Sequence, residues 1–126
     1  MKVKKKLYIL LVEDNLLNLK LALINLKKLG HIIDTAENGK TAIDKFKKNH
    51  YDVILMDIEM PEMNGIEATK IIRKLENQSN TKSKIKIIAL TAHNGKDKEK
   101  YLSVGMDNLY AKPMRANEFS DIINYN

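Results

Sequence analysis

The sequence predicts an α/β fold, with five parallel strands in one doubly wound sheet. Two observations predict it. Short apolar runs of strand length alternate five times with longer stretches of helical period. Four of those runs also end in a reactive polar group. Leu7–Val12 runs into Glu13 and Asp14, Val53–Met56 into Asp57, Ile87–Leu90 into Thr91, and Leu109–Ala111 into Lys112. A buried strand has no use for such a group unless its end faces a site. In open parallel sheets, ligands bind at the carboxyl ends of the strands.

Each element follows from its local pattern. Leu7–Val12 is the first strand, and Leu16–Leu29 has helical length with Gly30 as its stop. Ile32–Ala36 is the second strand. Asn38-Gly39 then turns into an amphipathic helix whose Ala42, Ile43 and Phe46 share a face. Tyr51–Met56 is a central strand, Met60–Asn64 a loop containing Pro61, and Gly65 to about Leu75 the third helix. Glu76–Ser83 is polar and reads as a surface loop. Lys86–Leu90 is the fourth strand, Lys96–Val104 a helix stopped by Gly105, Asn108–Ala111 a short fifth strand, and Ala116–Ile123 the last helix. Such alternation implies a parallel sheet covered on both faces, with right-handed crossovers. The strand order 2-1-3-4-5 is the flavodoxin-like solution.

The chain has 126 residues, which predicts a single domain over 1–126 with a real core. Hydrophobic content of 44% and charged content of 30% are ordinary for a globular chain. No cysteine is present, which excludes disulfides and thiolate metal sites. The basic start Lys2–Lys6 precedes only Leu7–Val12, too short for a secretory core or a membrane span. These features predict a cytoplasmic protein with no membrane contact. The net charge of +6 comes from lysines spread along the chain, without the clustering and aromatic interleaving of a nucleic-acid binder. The Lys96/Lys98/Lys100 group alternates with Asp97 and Glu99. No DNA-binding segment is evident, which predicts that the chain acts through contact with other proteins.

Glu13, Asp14 and Asp57 fall at the ends of the first and third strands, neighbours at the switch point of the predicted order. Three carboxylates there repel one another unless a cation sits among them. Mg²⁺ suits the site: it takes oxygen ligands and is commonly held by one or two carboxylates with phosphate oxygens. The bland reading is that Glu13 and Asp14 cap the following helix. An acidic first loop argues against a flavin or nucleotide protein, which would place backbone N–H groups there to cradle phosphate. A phosphoryl group therefore arrives with the metal. Phosphoryl transfer depends mainly on positioning and on neutralising oxygen charge. Lys112 offers a point charge and Thr91 a hydroxyl. Pro113 favours a cis peptide that would aim Lys112 inward.

These residues resemble the receiver domain of two-component response regulators. The resemblance runs from Leu7 to Ile123. It rests on Leu11-Val12-Glu13-Asp14-Asn15, on Leu55-Met56-Asp57-Ile58-Glu59-Met60-Pro61-Glu62-Met63-Asn64-Gly65, on Ala89-Leu90-Thr91-Ala92, on Gly105-Met106-Asp107 and on Lys112-Pro113. It implies that Asp57 is a phosphoacceptor served by a sensor histidine kinase or a histidine phosphotransfer domain. It further implies that Glu13, Asp14 and Asp57 hold Mg²⁺ with the Glu59 carbonyl, and that Thr91 and Lys112 contact the phosphoryl oxygens. The signal would pass toward the fourth helix, fifth strand and fifth helix, a face that also offers a homodimer contact. Asn15, Asn18, Glu59 and the Gly105-Met106-Asp107 run are most similar to receivers of hybrid kinases and of stand-alone single-domain regulators. The domain would promote only its own phosphorylation and dephosphorylation. Glu59 and His93 stand where the family tunes phosphate loss. One departure is Leu109, where the family usually has an aromatic switch residue. Tyr110 should point to the opposite face.

The helix Leu16–Leu29 carries too many apolar residues for one buried stripe. With Leu21, Leu26 and Leu29 on the core face, Leu16, Leu19 and Leu23 form an exposed stripe beside the acidic edge. That stripe is predicted to dock a helix of the phosphodonor. Two other function classes remain open. An aspartyl-nucleophile hydrolase of the haloacid-dehalogenase type wants an aspartate two residues after the nucleophile, where Glu59 stands. A receiver-like binding module that takes no phosphate would not require the full set of side chains found here.

Overall fold

The computed structural model describes residues 6–79, 84–92 and 97–124. The elements in chain order are β1 (Tyr8–Val12), α1 (Leu16–Lys28), β2 (Ile32–Ala36), α2 (Gly39–Lys48), β3 (Val53–Asp57), α3 (Gly65–Gln78), β4 (Lys86–Thr91), α4 (Lys98–Ser103), β5 (Asn108–Ala111) and α5 (Ala116–Asn124). The sheet has five strands in the order β2-β1-β3-β4-β5, and every pairing is parallel. This is the predicted doubly wound arrangement.

Strand side chains alternate between two apolar layers, as the period of two requires. Leu10, Val12, Ile54, Met56, Ile87 and Ala89 face Ala42 and Ile43 of α2, Ala68 and Ile72 of α3, and Tyr101 of α4. Ile9, Leu11, Val53, Leu55, Ile88 and Leu90 face Leu26 of α1 and Phe119 and Ile122 of α5. β3 is buried along its whole length. Only a strand shielded on both faces can be so uniformly apolar. On β5, Leu109 packs on the first layer and Tyr110 on the second, so the two do point to opposite faces.

Gly65 opens α3 where the chain returns against β3. A Cβ there would lie 2.3 Å from the Asp57 carbonyl oxygen, inside any tolerable contact. Asn64 caps this helix by accepting from the Glu67 N–H at 2.9 Å, and the Glu67 carboxylate faces the Asn64 N–H to complete a capping box.

The structure corrects two expectations. The first concerns α1. Leu19 and Leu23, expected to be exposed, pack with Ala22 and Leu29 against the core around Leu26. Leu21, expected in the core, is 46% exposed. The outward residues are Leu16, Leu17, Leu21 and Ile24. The helix is apolar nearly all round, so its leucines alone do not set its phase. Ala22 completes the buried stripe with Leu19, Leu23 and Leu26.

The second correction is Glu76. It belongs to α3, not to a surface loop, and is buried. Its carboxylate meets Arg73 Nη1 at 2.7 Å and accepts from the Ile85 N–H at 2.6 Å. Arg73 also donates to the carbonyls of Gly105 and Ile85, both at 2.8 Å, and to Asp107 Oδ2 at 2.9 Å. Truncating one member of a buried charged pair strands its partners. Glu76→Ala should therefore lose about 2 kcal/mol of stability, by urea denaturation. A loss within error of zero would show that the network contributes nothing.

Candidate functional site

The strand ends form one row. Val12 pairs with Met56, Asp57 with Leu90, and Thr91 with Ala111. Glu13, Asp57, Thr91 and Lys112 therefore lie at or just beyond the carboxyl ends of β1, β3, β4 and β5. Glu13 continues the ladder past β1 through its N–H to the Ala36 carbonyl at 3.0 Å. The cap of α1 is neither Glu13 nor Asp14. It is Asn15, whose side chain accepts from the Asn18 N–H at 3.0 Å. Glu13 Oε2 accepts from the Asn15 N–H at 3.2 Å, while its Oε1 lies toward Lys112.

Carboxylate oxygens of Glu13, Asp14 and Asp57 lie within 4.8 Å of one another. Asp57 is fully buried, Glu13 nearly so, and Asp14 is exposed. The Lys112 ammonium reaches Asp57 Oδ1 at 2.8 Å and Glu13 Oε1 at 3.5 Å. The Lys112–Pro113 peptide is cis, as Pro113 led one to expect. Burial and the neighbouring Glu13 carboxylate push the Asp57 carboxyl up to about 8, against the opposing pull of Lys112. Burial works against the charge of Lys112, but Asp57, Glu13 and Glu59 outweigh it and hold its pKa above the usual lysine value.

A small oxygen-seeking dication fits this arrangement. Three carboxylates face one ammonium. Asp57 Oδ2 is buried and makes no hydrogen bond. An oriented, unsatisfied carboxylate oxygen beside other carboxylates is what a hard cation needs.

Thr91 is buried, and its hydroxyl donates to Glu59 Oε1 at 2.9 Å. The Glu59 N–H turns back to Asp57 Oδ1 at 3.2 Å. The Lys112 N–H donates to the Thr91 carbonyl at 2.7 Å, which ties the last two strand ends together. Sequence reasoning missed Tyr101. It is the buried residue of α4, and its hydroxyl lies beside Thr91. It belongs to the same apolar layer as Met106 and Leu109. The signal was the one aromatic in a short, mostly polar helix. His93 falls outside the described residues, as does the start of the predicted fourth helix at Lys96.

A doubly wound sheet whose switch point gathers carboxylates, a lysine and a threonine defines a phosphoacceptor-type class rather than a nucleotide binder. Residues 9–124 match the response regulator receiver domain family, and the chain belongs to it. It is 48% identical over 118 residues to hybrid signal transduction histidine kinase B of Dictyostelium discoideum, a match covering 87% of this chain and 6% of that protein. The receiver domain of Saccharomyces cerevisiae Ssk1, solved in complex with the histidine phosphotransfer protein Ypd1, superposes with a TM-score of 0.88 at 35% identity, covering 98% of this chain and 90% of that one. The receiver of sensor histidine kinase PA1611 from Pseudomonas aeruginosa, solved with magnesium in its active-site cleft, gives 0.81 at 36% identity, covering 95% and 96%. The chain spans only 6–14% of the length of the first curated relatives. The chain is thus a receiver domain of the two-component type, similar to receivers of hybrid kinases and to CheY-like structures.

The charge crowding has a measurable sign. The folded protein holds the Asp57 proton more tightly than the unfolded chain does. Without metal, the charged Asp57 carboxylate therefore costs stability above its folded pKa, and this cost fades as pH falls from about 8 toward 4. In EDTA, Asp57→Asn should melt higher than wild type at pH 8, with the gap closing by pH 5. Added Mg²⁺ should raise the wild-type midpoint more than that of the variant. A variant that melts lower at pH 8 would contradict the crowding.

Proposed function

We propose that residues 1–126 form one receiver unit that accepts a phosphoryl group on Asp57 from a phosphohistidine. One observation carries this reading. The Asp57 carboxylate is buried at the switch point, with one oxygen on Lys112 and the other unpartnered beside Glu13 and Asp14. The Asp57 oxygen attacks phosphorus, and the phosphorus–nitrogen bond breaks. Its electron pair stays on the imidazole, which takes up a proton, and an acyl phosphate remains on Asp57. Lys112 neutralises the incoming oxygens, and Thr91 donates to one of them. Glu13, Asp14, Asp57 and the backbone carbonyl of Glu59 would hold Mg²⁺. Bound there, the ion neutralises and orients the phosphoryl oxygens. Loss of the group by attack of water restores the carboxylate, so the domain acts on itself and turns over no other substrate. We assign the reaction to the cytoplasm, where nucleoside triphosphate charges the donor histidine. Among the described residues, no helix is long and apolar enough to cross a membrane.

Intact-mass measurement after incubation with acetyl phosphate and Mg²⁺ tests the acceptor. Wild type should gain one phosphoryl group. Asp57→Asn should gain none, and EDTA should suppress the gain. Steady release of phosphate from an ester would favour a hydrolase instead.

The donor docks, on this reading, against the exposed apolar face of α1 formed by Leu16, Leu17, Leu21 and Ile24. That face lies just past the acidic loop, and an apolar patch of this kind suits a partner helix. The Ssk1 receiver, similar to this chain, crystallised with a phosphotransfer protein. Output contacts, including a homodimer, would use the surface of α4, β5 and α5. Leu21→Glu should slow transfer from a phosphorylated histidine phosphotransfer protein such as Ypd1 at least tenfold, yet leave acetyl phosphate labelling unchanged. Equal loss of both reactions would refute docking at α1.

A further inference from the structure

The Glu59 residue spans two strand ends. Its N–H is tied to Asp57 Oδ1 at 3.2 Å, while its side chain reaches across to β4. There Oε1 accepts from the Thr91 hydroxyl at 2.9 Å and lies 3.3 Å from the Ala92 N–H, which also donates to it. The Thr91 backbone is held from the other side by the Lys112 N–H at 2.7 Å. Thr91 is buried, so its hydroxyl finds its partners within the protein.

A hydroxyl has one proton to donate. A carboxylate acceptor makes the stronger class of hydrogen bond. The Thr91 proton cannot serve Glu59 and an oxygen of a phosphoryl group on Asp57 at the same time. We propose that the Glu59 carboxylate is a positioning residue that holds the Thr91 hydroxyl away from the phosphoryl site, so that phosphoryl capture must displace this bond. The inference rests on the reading of Asp57 as phosphoacceptor. Glu59 thus opposes the phosphorylated state through its hydrogen bond to Thr91 rather than through long-range charge repulsion. Its side chain is separate from its backbone carbonyl, so side-chain substitution leaves the carbonyl in place.

The test uses beryllium trifluoride with Mg²⁺ as a phosphoryl mimic, with binding followed by ¹⁹F NMR. Wild type should bind and Asp57→Asn should not, which checks the acceptor reading separately. Absence of wild-type binding would sink both that reading and the proposal. Glu59→Ala should bind about tenfold more tightly, the equivalent of about 1.4 kcal/mol. Glu59→Gln keeps an acceptor oxygen but makes the weaker neutral bond, so it should fall between wild type and Glu59→Ala, about threefold tighter than wild type. In a Thr91→Val background, Glu59→Ala should change nothing, because the bond it breaks is already gone. The proposal is overturned if Glu59→Gln matches Glu59→Ala, which would assign the effect to charge repulsion. It is equally overturned if the alanine effect persists without the Thr91 hydroxyl, or if Glu59→Ala leaves the affinity unchanged.

Discussion

The structure turns on one unfavourable contact: the Glu13 and Asp57 carboxylates are buried side by side with a single ammonium between them. Nothing in the core gains from this. A parallel sheet buried on both faces supplies the low-dielectric setting that makes the crowding costly. The same setting makes an arriving cation or phosphoryl group count for more than it would in water. The close approach of Gly65 to the last carbonyl of β3 keeps the acceptor strand end tight against the helix that follows. The backbone that carries the Asp57 carboxylate is thus fixed by packing against α3.

Much of this was legible in the sequence because the physics at the strand ends is stark. A run such as Val53–Met56 that stops at an aspartate has few bland explanations, and four such runs at matched spacing have fewer. The parallel sheet followed from helix-length crossovers, the 2-1-3-4-5 order from the flavodoxin-like arrangement of such sheets, and the site from that order. Even the opposed faces of Leu109 and Tyr110 followed from strand periodicity.

Where the reading failed, local pattern carried too little contrast. α1 offers apolar residues on almost every side, so which leucines turn inward depends on Ala22 and on the shape of the neighbouring sheet face. Glu76 looked like the start of a polar loop because the Ile85 N–H that buries its carboxylate is joined to it only by folding, although its pairing with Arg73 is a local i,i+3 contact. Tyr101 was missed for a related reason: its importance lies in its nearness to Thr91 across an element boundary. The bond from Thr91 to Glu59 is invisible in the same way, since the two residues are far apart in the chain.

Arg73 has a mechanical consequence. Its guanidinium holds the Gly105 carbonyl and Asp107, just after the C-terminal end of α4, and also the Ile85 carbonyl ahead of β4. The trailing end of α4 is therefore pinned to the body of the domain, while Tyr101 couples the helix to the threonine at the end of β4. A short lever fixed at one end can rotate about that anchor but cannot slide. Thr91 therefore bears on α4 through Tyr101, about one turn ahead of the end that Arg73 ties down.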